Sequence, residues 1–268
     1  MVHQGPVAVF STCLGDAFAP EVSAKTVALV RGTGADPTLI RFGCCGQPAW
    51  NAGQPDEARR MARSLIRRLR PFATIVVPSG SCSATMISTY HHFFPAGSAD
   101  AKAAEEVAAR TVELSAYLEP SLDRIPWRPE LPSPAALHVS CHALRVAGCG
   151  PTSRHCLEAA GCPLVPFERS EECCGFGGVF SVDQEALSAA IADRKLDALA
   201  AAGATTVVSG EMGCLLHLEG RAERRAMPLV FRHIAEVLAD RWQPEKGEDT
   251  LDGGATRGAG TRAAGHPR

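Results

Sequence analysis

Eight of the eleven cysteines fall into two matching sets: Cys13, the adjacent pair Cys44 and Cys45, and Cys82; then Cys141, the pair Cys173 and Cys174, and Cys214. Corresponding residues lie 128, 129 and 132 positions apart. So constant an offset is the mark of a duplicated unit. Thiols gathered at one point need a metal or a positive partner, and left free they oxidise. Soft thiolates select zinc, Cu(I) or an iron–sulfur cluster. Mononuclear zinc usually draws on a close C-x₂₋₄-C pair. This chain has no C-x-x-C, and it lacks the ferredoxin run of closely spaced cysteines. A vicinal pair with two remote partners suits a multi-iron cluster, because adjacent sulfurs can reach different irons. Zinc stays open as the alternative in one site.

The elements around these residues repeat as well. Val7-Ala8-Val9-Phe10-Ser11-Thr12 leads into Cys13, and Ala136-Leu137-His138-Val139-Ser140 leads into Cys141. Thr74-Ile75-Val76-Val77 runs towards Cys82 as Thr205-Thr206-Val207-Val208 runs towards Cys214. These are apolar and β-branched runs of buried-strand type. Between them, Glu21–Arg31, Asp56–Leu69 and Glu185–Ala202 carry apolar residues at helical spacing. Ala103–Leu118 and Val230–Trp242 read as the closing helix of each half. Alternating strands and helices predict an α/β fold of two pseudo-repeated halves, each a small parallel-sheet layer with helices. The carboxyl ends of parallel strands face one crevice, so each half places its cysteine site there. Neighbouring side chains on a straight strand point to opposite faces. Aiming both members of each cysteine pair at one centre therefore needs a turn, and Gly46 and Gly175 supply its freedom. The expected organisation is a first domain over 1–119, a proline-rich linker over 120–134, a second domain over 135–242, and a disordered tail over 243–268.

Composition excludes several classes. The 268 residues are 46% hydrophobic and 21% charged, with a net charge of −2. That describes a globular chain with no electrostatic footprint for nucleic acid, and 6% aromatics add no stacking surface. The longest apolar stretches, such as Thr74–Pro78 and Pro163–Phe167, fall far short of the ~20 residues that span a bilayer. No secretory signal is visible at the N-terminus, so a reducing cytoplasmic setting is the expectation. An odd cysteine count without a signal also argues against a disulfide scaffold.

Longer motifs carry a family resemblance. They are Cys44-Cys45-Gly46-Gln47-Pro48-Ala49-Trp50-Asn51-Ala52-Gly53, Pro78-Ser79-Gly80-Ser81-Cys82 and Glu113-Leu114-Ser115 in the first half. In the second they are Cys173-Cys174-Gly175-Phe176-Gly177-Gly178-Val179-Phe180-Ser181-Val182, Gly213-Cys214-Leu215 and His233-Ile234-Ala235-Glu236-Val237-Leu238. Over about residues 6–240 the chain resembles the cysteine-rich CCG-domain iron–sulfur family. That family includes the CCG-bearing subunit of heterodisulfide reductase, the glycolate oxidase iron–sulfur subunit and, nearest to this chain, the lactate-utilisation proteins of type A. The resemblance implies an iron–sulfur subunit of an L-lactate-oxidising complex, rather than a complete enzyme. It would work with two other lactate-utilisation subunits, one of them a ferredoxin-type iron–sulfur protein. It also implies one or two clusters, of [4Fe–4S] type, on Cys13, Cys44, Cys45 and Cys82 and on Cys141, Cys173, Cys174 and Cys214. The full CCG pattern ends in C-x-x-C. Here Ser79 and Glu211 replace the first cysteine of that pair, as in the lactate-utilisation group. Four thiolates remain per half, which leaves open an ordinary four-thiolate cluster or, in the second half, the Glu211 carboxylate as an extra ligand. Two rival functions stay open: a thiol–disulfide redox subunit resembling heterodisulfide reductase, and a non-catalytic, zinc-stabilised assembly module.

Other residues read more plainly. Cys149, Cys156 and Cys162 lie outside the repeat, as small buried hydrophobes would. His138 and His142 flank Cys141 as strand-end histidines, either placed to hydrogen-bond a cluster sulfur. Gly175–Gly178 lacks the dinucleotide fingerprint, and nothing resembles a flavin or nicotinamide site. Arg59, Arg60, Arg63, Arg67, Arg68 and Arg70 form a solvated face, or a docking face for an acidic partner.

Overall fold

A computed structural model describes residues 5–128 and 134–242. The first half runs β1 (Val7–Phe10), α1 (Cys13–Phe18), α2 (Pro20–Arg31), β2 (Pro37–Ile40), α3 (Gln47–Asn51), α4 (Pro55–Leu69), β3 (Thr74–Val77), α5 (Gly80–Ala84), α6 (Ala99–Ala108), β4 (Thr111–Glu113) and α7 (Leu114–Leu118). The second runs β5 (Ala135–Leu137), α8 (Cys141–Arg145), α9 (Gly150–Ala159), α10 (Phe180–Asp183), α11 (Glu185–Ala201), β6 (Thr206–Ser209), α12 (Met212–Arg224), β7 (Val230–His233) and α13 (Ile234–Arg241). Both sheets are parallel, in the orders β2-β1-β3-β4 and β5-β6-β7. Leu164 makes a single parallel bridge to Ala135, in the place that β2 holds beside β1. The second sheet is thus the first with one edge strand reduced to a bridge.

Successive strand residues face opposite ways, and the two faces of each sheet meet different neighbours. Val7, Val9 and Val76 of the first sheet join Ala135, Leu137 and Val208 of the second in one core, closed by Leu29 of α2, Leu118 of α7, Leu157 of α9 and Leu238 of α13. The outward faces have cores of their own. Ala8, Phe10 and Ile75 pack on Ala58, Ala62 and Leu65 of α4, while Ala136 and Val207 pack on Ala192, Leu196 and Leu199 of α11. The halves are joined through a shared helical layer, not merely tethered.

The three amphipathic helices appear within a residue of their expected limits, as α2, α4 and α11. Pro55 at the start of α4, acids Asp56 and Glu57 in its first turn and Arg67 and Arg68 in its last all suit the helix dipole. The two closing helices differ from expectation. Ala103–Leu118 is not one helix: α6 ends at Ala108, and Thr111–Glu113 pairs with β3 before α7 begins. Val230–Trp242 likewise opens as β7, paired with β6. Each strand is three or four residues long and leads directly into a helix, so its period of two is lost in the helical period that follows. Within the proline-rich stretch, Glu119–Arg124 forms a 3₁₀ helix that puts Leu122 into the shared core. Residues 129–133 and the tail 243–268 lie outside the described residues.

Truncating Leu238 in the shared layer tests this architecture. Leu238→Ala should cost ~2–5 kcal/mol and leave a single cooperative denaturant transition. Two separated transitions would show that the halves fold independently.

Candidate metal centre

Each half delivers its thiols from the ends of three parallel elements. Cys13 is the first residue of α1, and Thr12 caps that helix by accepting the Gly15 N–H at 3.3 Å. Cys141 opens α8 in the same way, with Ser140 accepting from Ala143 at 3.3 Å. Cys82 sits in the first turn of α5 behind the Ser79 cap, and Cys214 in the first turn of α12 behind the Glu211 cap. Helix N-termini favour an anionic sulfur. The cysteine pairs come from the loop after β2 and from its counterpart beyond Leu164.

The glycine after each pair makes the required turn. Gly46 and Gly175 are left-handed, at φ 86° and 95°. Their N–H groups donate back to Cys44 Sγ at 3.4 Å and Cys173 Sγ at 3.3 Å. A Cβ at Gly46 would stand 3.0 Å from the Ala58 carbonyl oxygen, and one at Gly175 only 2.5 Å from that of Ser188. Conformation and space both demand glycine.

The result is a string of four sulfurs in each half. Cys45 Sγ is 3.4 Å from Cys82 Sγ, and Cys174 Sγ 2.9 Å from Cys214 Sγ. The chain of thiol hydrogen bonds runs on from Cys45 to Cys44 and Cys13, and from Cys174 to Cys173 and Cys141. All eight are free thiols. Donation from Cys13 and Cys45 holds Cys44 down to about 3, and donation from Cys141 and Cys174 holds Cys173 down to about 2. The donors themselves are pushed up, by giving those hydrogen bonds and by burial. Converging sulfurs at the mouths of helices are the donor set that a thiophilic metal or iron–sulfur cluster takes. A histidine lies beside the second set. A ring nitrogen of His138 and the sulfurs of Cys174 and Cys214 lie within 4.8 Å of one another, all three residues buried. Neither nitrogen of His138 has a hydrogen-bond partner.

The two sets face a common space. Cys13, Cys45, Cys82, Cys141, Cys173, Cys174 and Cys214 all line one cavity of about 370 Å³, with Gln47, His142, Phe176 and Glu211. Contacts across this cavity bind the halves together. The Gln47 amide and His142 Nε2 are 3.1 Å apart, and His142 Nδ1 is 3.6 Å from Cys141 Sγ. Ser79 Oγ donates to Glu211 Oε2 at 3.0 Å, and the Ser81 N–H donates to the same oxygen at 2.7 Å. The two residues that replace the expected fifth cysteines therefore touch each other. Glu211 caps α12 in its own half through the Gly213 N–H, at 3.5 Å, and α5 in the other.

The remaining candidates lie elsewhere. Cys156 and Cys162 belong to the shared core, and the Cys156 thiol donates to the Ser115 carbonyl at 3.4 Å. Cys149 donates to the Ala143 carbonyl at 3.5 Å. Burial pushes all three thiols up, Cys156 to about 12. On α4, Arg59 pairs with Asp56, Arg60 with Glu57 and Arg63 with Asp100, while Arg68 donates to the Arg41 carbonyl. Much of that charge is met by the protein's own groups, as on an ordinary solvated face. One cationic group carries no motif in the sequence: Lys195 of α11, buried beside the second set. Its only signal is a lysine on the buried stripe of that helix.

Removing the Glu211 carboxylate should unsettle both halves. Glu211→Ala strands the Ser79 and Ser81 donors and should cost ~1–3 kcal/mol in denaturant unfolding. Glu211→Gln keeps an acceptor and should recover most of it.

The chain is similar to known proteins over most of its length. The model of the cysteine-rich domain CCG matches twice, over residues 7–87 and 135–219. Lactate utilization protein A of Geobacillus kaustophilus is 37% identical over 240 residues, covering 88% of this chain and 99% of its own. Its namesake from Exiguobacterium is 35% identical, covering 87% and 96%. Lactate utilization protein A 2 of Bacillus cereus is 33% identical, covering 87% and 97%. Among solved structures, a glutamate racemase from Bacillus anthracis aligns over 89% of this chain and 80% of its own, at 10% identity and a TM-score of 0.38, too low to argue from. With two copies of the domain and relatives matched along almost their whole length, the chain belongs to the cysteine-rich CCG family, in its lactate utilization protein A group.

Proposed function

We propose that the chain is the iron–sulfur subunit of a lactate-oxidising complex, in which it carries electrons released as lactate becomes pyruvate. Cys13, Cys44, Cys45 and Cys82 would hold one cluster, and Cys141, Cys173, Cys174 and Cys214 the other, each of [4Fe–4S] type. The observation that supports this most is the convergence of each set to neighbouring sulfurs, 3.4 Å apart between Cys45 and Cys82 and 2.9 Å apart between Cys174 and Cys214. Thiols gathered this closely can serve one cluster once their side chains turn apart onto separate irons. When bound, an iron–sulfur cluster supplies one-electron transfer at a potential set by its surroundings.

The chain's own residues do the rest. Helix N-termini hold Cys13, Cys82, Cys141 and Cys214, and the left-handed glycines fold each pair inward. Glu211, which lines the cavity, is a candidate extra ligand. The partners would be two further lactate-utilisation subunits, one of ferredoxin type, in a reducing cytoplasm. No helix among the described residues is long and apolar enough to cross a membrane. A second reading has its own support: a cavity of about 370 Å³ between two thiol sets has room for a small thiol or disulfide substrate.

Anaerobic purification with iron, sulfide and zinc analysis tests the proposal. Several irons with matching sulfide and a broad visible band are expected. Colourless protein with stoichiometric zinc would overturn it. Cys174→Ala should remove iron from the second half only and abolish growth on lactate in a cell without other lactate oxidases. Unchanged iron would exclude Cys174 as a ligand. Reduction of small disulfides by the loaded protein would favour the second reading.

A further inference from the structure

The two sulfur strings are alike, but the side chains packed behind them are not. Their register follows from the turns. Gly46 packs against the Ala58 carbonyl and Gly175 against that of Ser188. Counting on from these points along α4 and α11 sets Lys195 where the first half has Leu65. Counting back from Cys13 and Cys141 sets His138 where it has Phe10. Phe10 and Leu65 both pack at Gly43, just ahead of Cys44. The polar groups about the first set include the neutral hydroxyl of buried Tyr90 and the guanidinium of Arg68. That guanidinium donates to the Arg41 and Phe42 carbonyls but is exposed, so that water screens its charge. At the Phe10 and Leu65 positions the backing of the first set is hydrocarbon.

In the second set it is polar, basic and buried. Lys195 is 1% exposed. Its ammonium donates to the Arg169 carbonyl and, at 3.1 Å, to that of Ser170, a few residues ahead of Cys173. It also lies 5.4 Å from the centre of the Phe167 ring. Carbonyls and a ring face satisfy an ammonium without cancelling its charge. The neighbouring carboxylate, Glu172, is paired with Arg169 and Arg194. Burial brings Lys195 down to about 8, against the opposite pull of Cys174, Glu172, Cys214 and Cys173, so it stays mostly cationic at neutral pH. His138 is fully buried, with both ring nitrogens unpartnered and one of them within reach of Cys174 and Cys214.

Reducing a buried cluster adds a negative charge where water cannot screen it. A cation fixed nearby offsets that cost, and an N–H aimed at a ligand sulfur does the same. We infer that Lys195 and His138 make the second centre the more easily reduced of the two, so that an electron shared between them rests on Cys141, Cys173, Cys174 and Cys214. This rests on the iron–sulfur reading above.

The test is a redox titration of the anaerobically purified full chain, followed by electron paramagnetic resonance. The signal of higher midpoint should be the one lost in Cys174→Ala. Lys195→Met and His138→Phe should each lower that midpoint and leave the other unmoved, while Lys195→Arg should hold it. Thermal melts and iron and sulfide contents equal to those of the parent verify that each variant is folded and loaded. His138→Phe, which introduces the first half's own residue, decides the matter if Lys195→Met fails to fold. Loaded variants that titrate like the parent would overturn the inference, as would a higher-potential signal lost in Cys45→Ala instead. A protein without iron or sulfide would overturn the cluster reading itself, a separate and recognisable outcome.

Discussion

Everything at this site depends on making two consecutive residues look the same way. An extended backbone sends neighbouring side chains apart, and a helix sends them about 100° apart. The Cys-Cys-Gly turn escapes both by placing its third residue in the left-handed region, at Gly46 and Gly175, hard against the backbone of a following helix. The helix must then lie close, and small or polar residues, Ala58 and Ser188, stand at the points of contact. The sheet must in turn hold the remaining cysteines at the same height. Parallel strands do this, because each one ends in a helix start on the same side.

Much of this could be read from residue spacing. The near-constant offset between cysteine sets exposed the duplication, and α2, α4 and α11 announced themselves by their period. The short edge strands β4 and β7 did not, because no turn separates Thr111–Glu113 or Val230–His233 from the helix that follows. The placement of one half on the other was also hidden. Sheet faces alternate along each strand, but nothing in Val7, Val9, Leu137 or Val208 says that they share one core. That core turns two crevices into a single cavity.

Lys195 shows a different kind of illegibility. It stands in the sequence among Asp193, Arg194 and Asp197, an ordinary run of helix charges. Only the register against Leu65 marks it as buried. A duplicated protein carries its own internal reference, and departures from the repeat stand out once the structure aligns the two copies. By that standard His138 and Lys195 are the clearest departures beneath the second set, and Phe10 and Leu65 are their controls.

The contact between Ser79 and Glu211 has a bearing on how the family diverges. The two positions lie 132 residues apart, yet the carboxylate accepts a hydrogen bond from the hydroxyl. A cysteine at either one alone would leave the other with a weaker hydrogen-bond partner at a buried junction. Side chains in contact do not have additive effects, so substitutions at the two positions are coupled. A single hydrogen bond thus makes the two copies of the duplicated unit answerable to each other: a change at Ser79 in one is felt at Glu211 in the other.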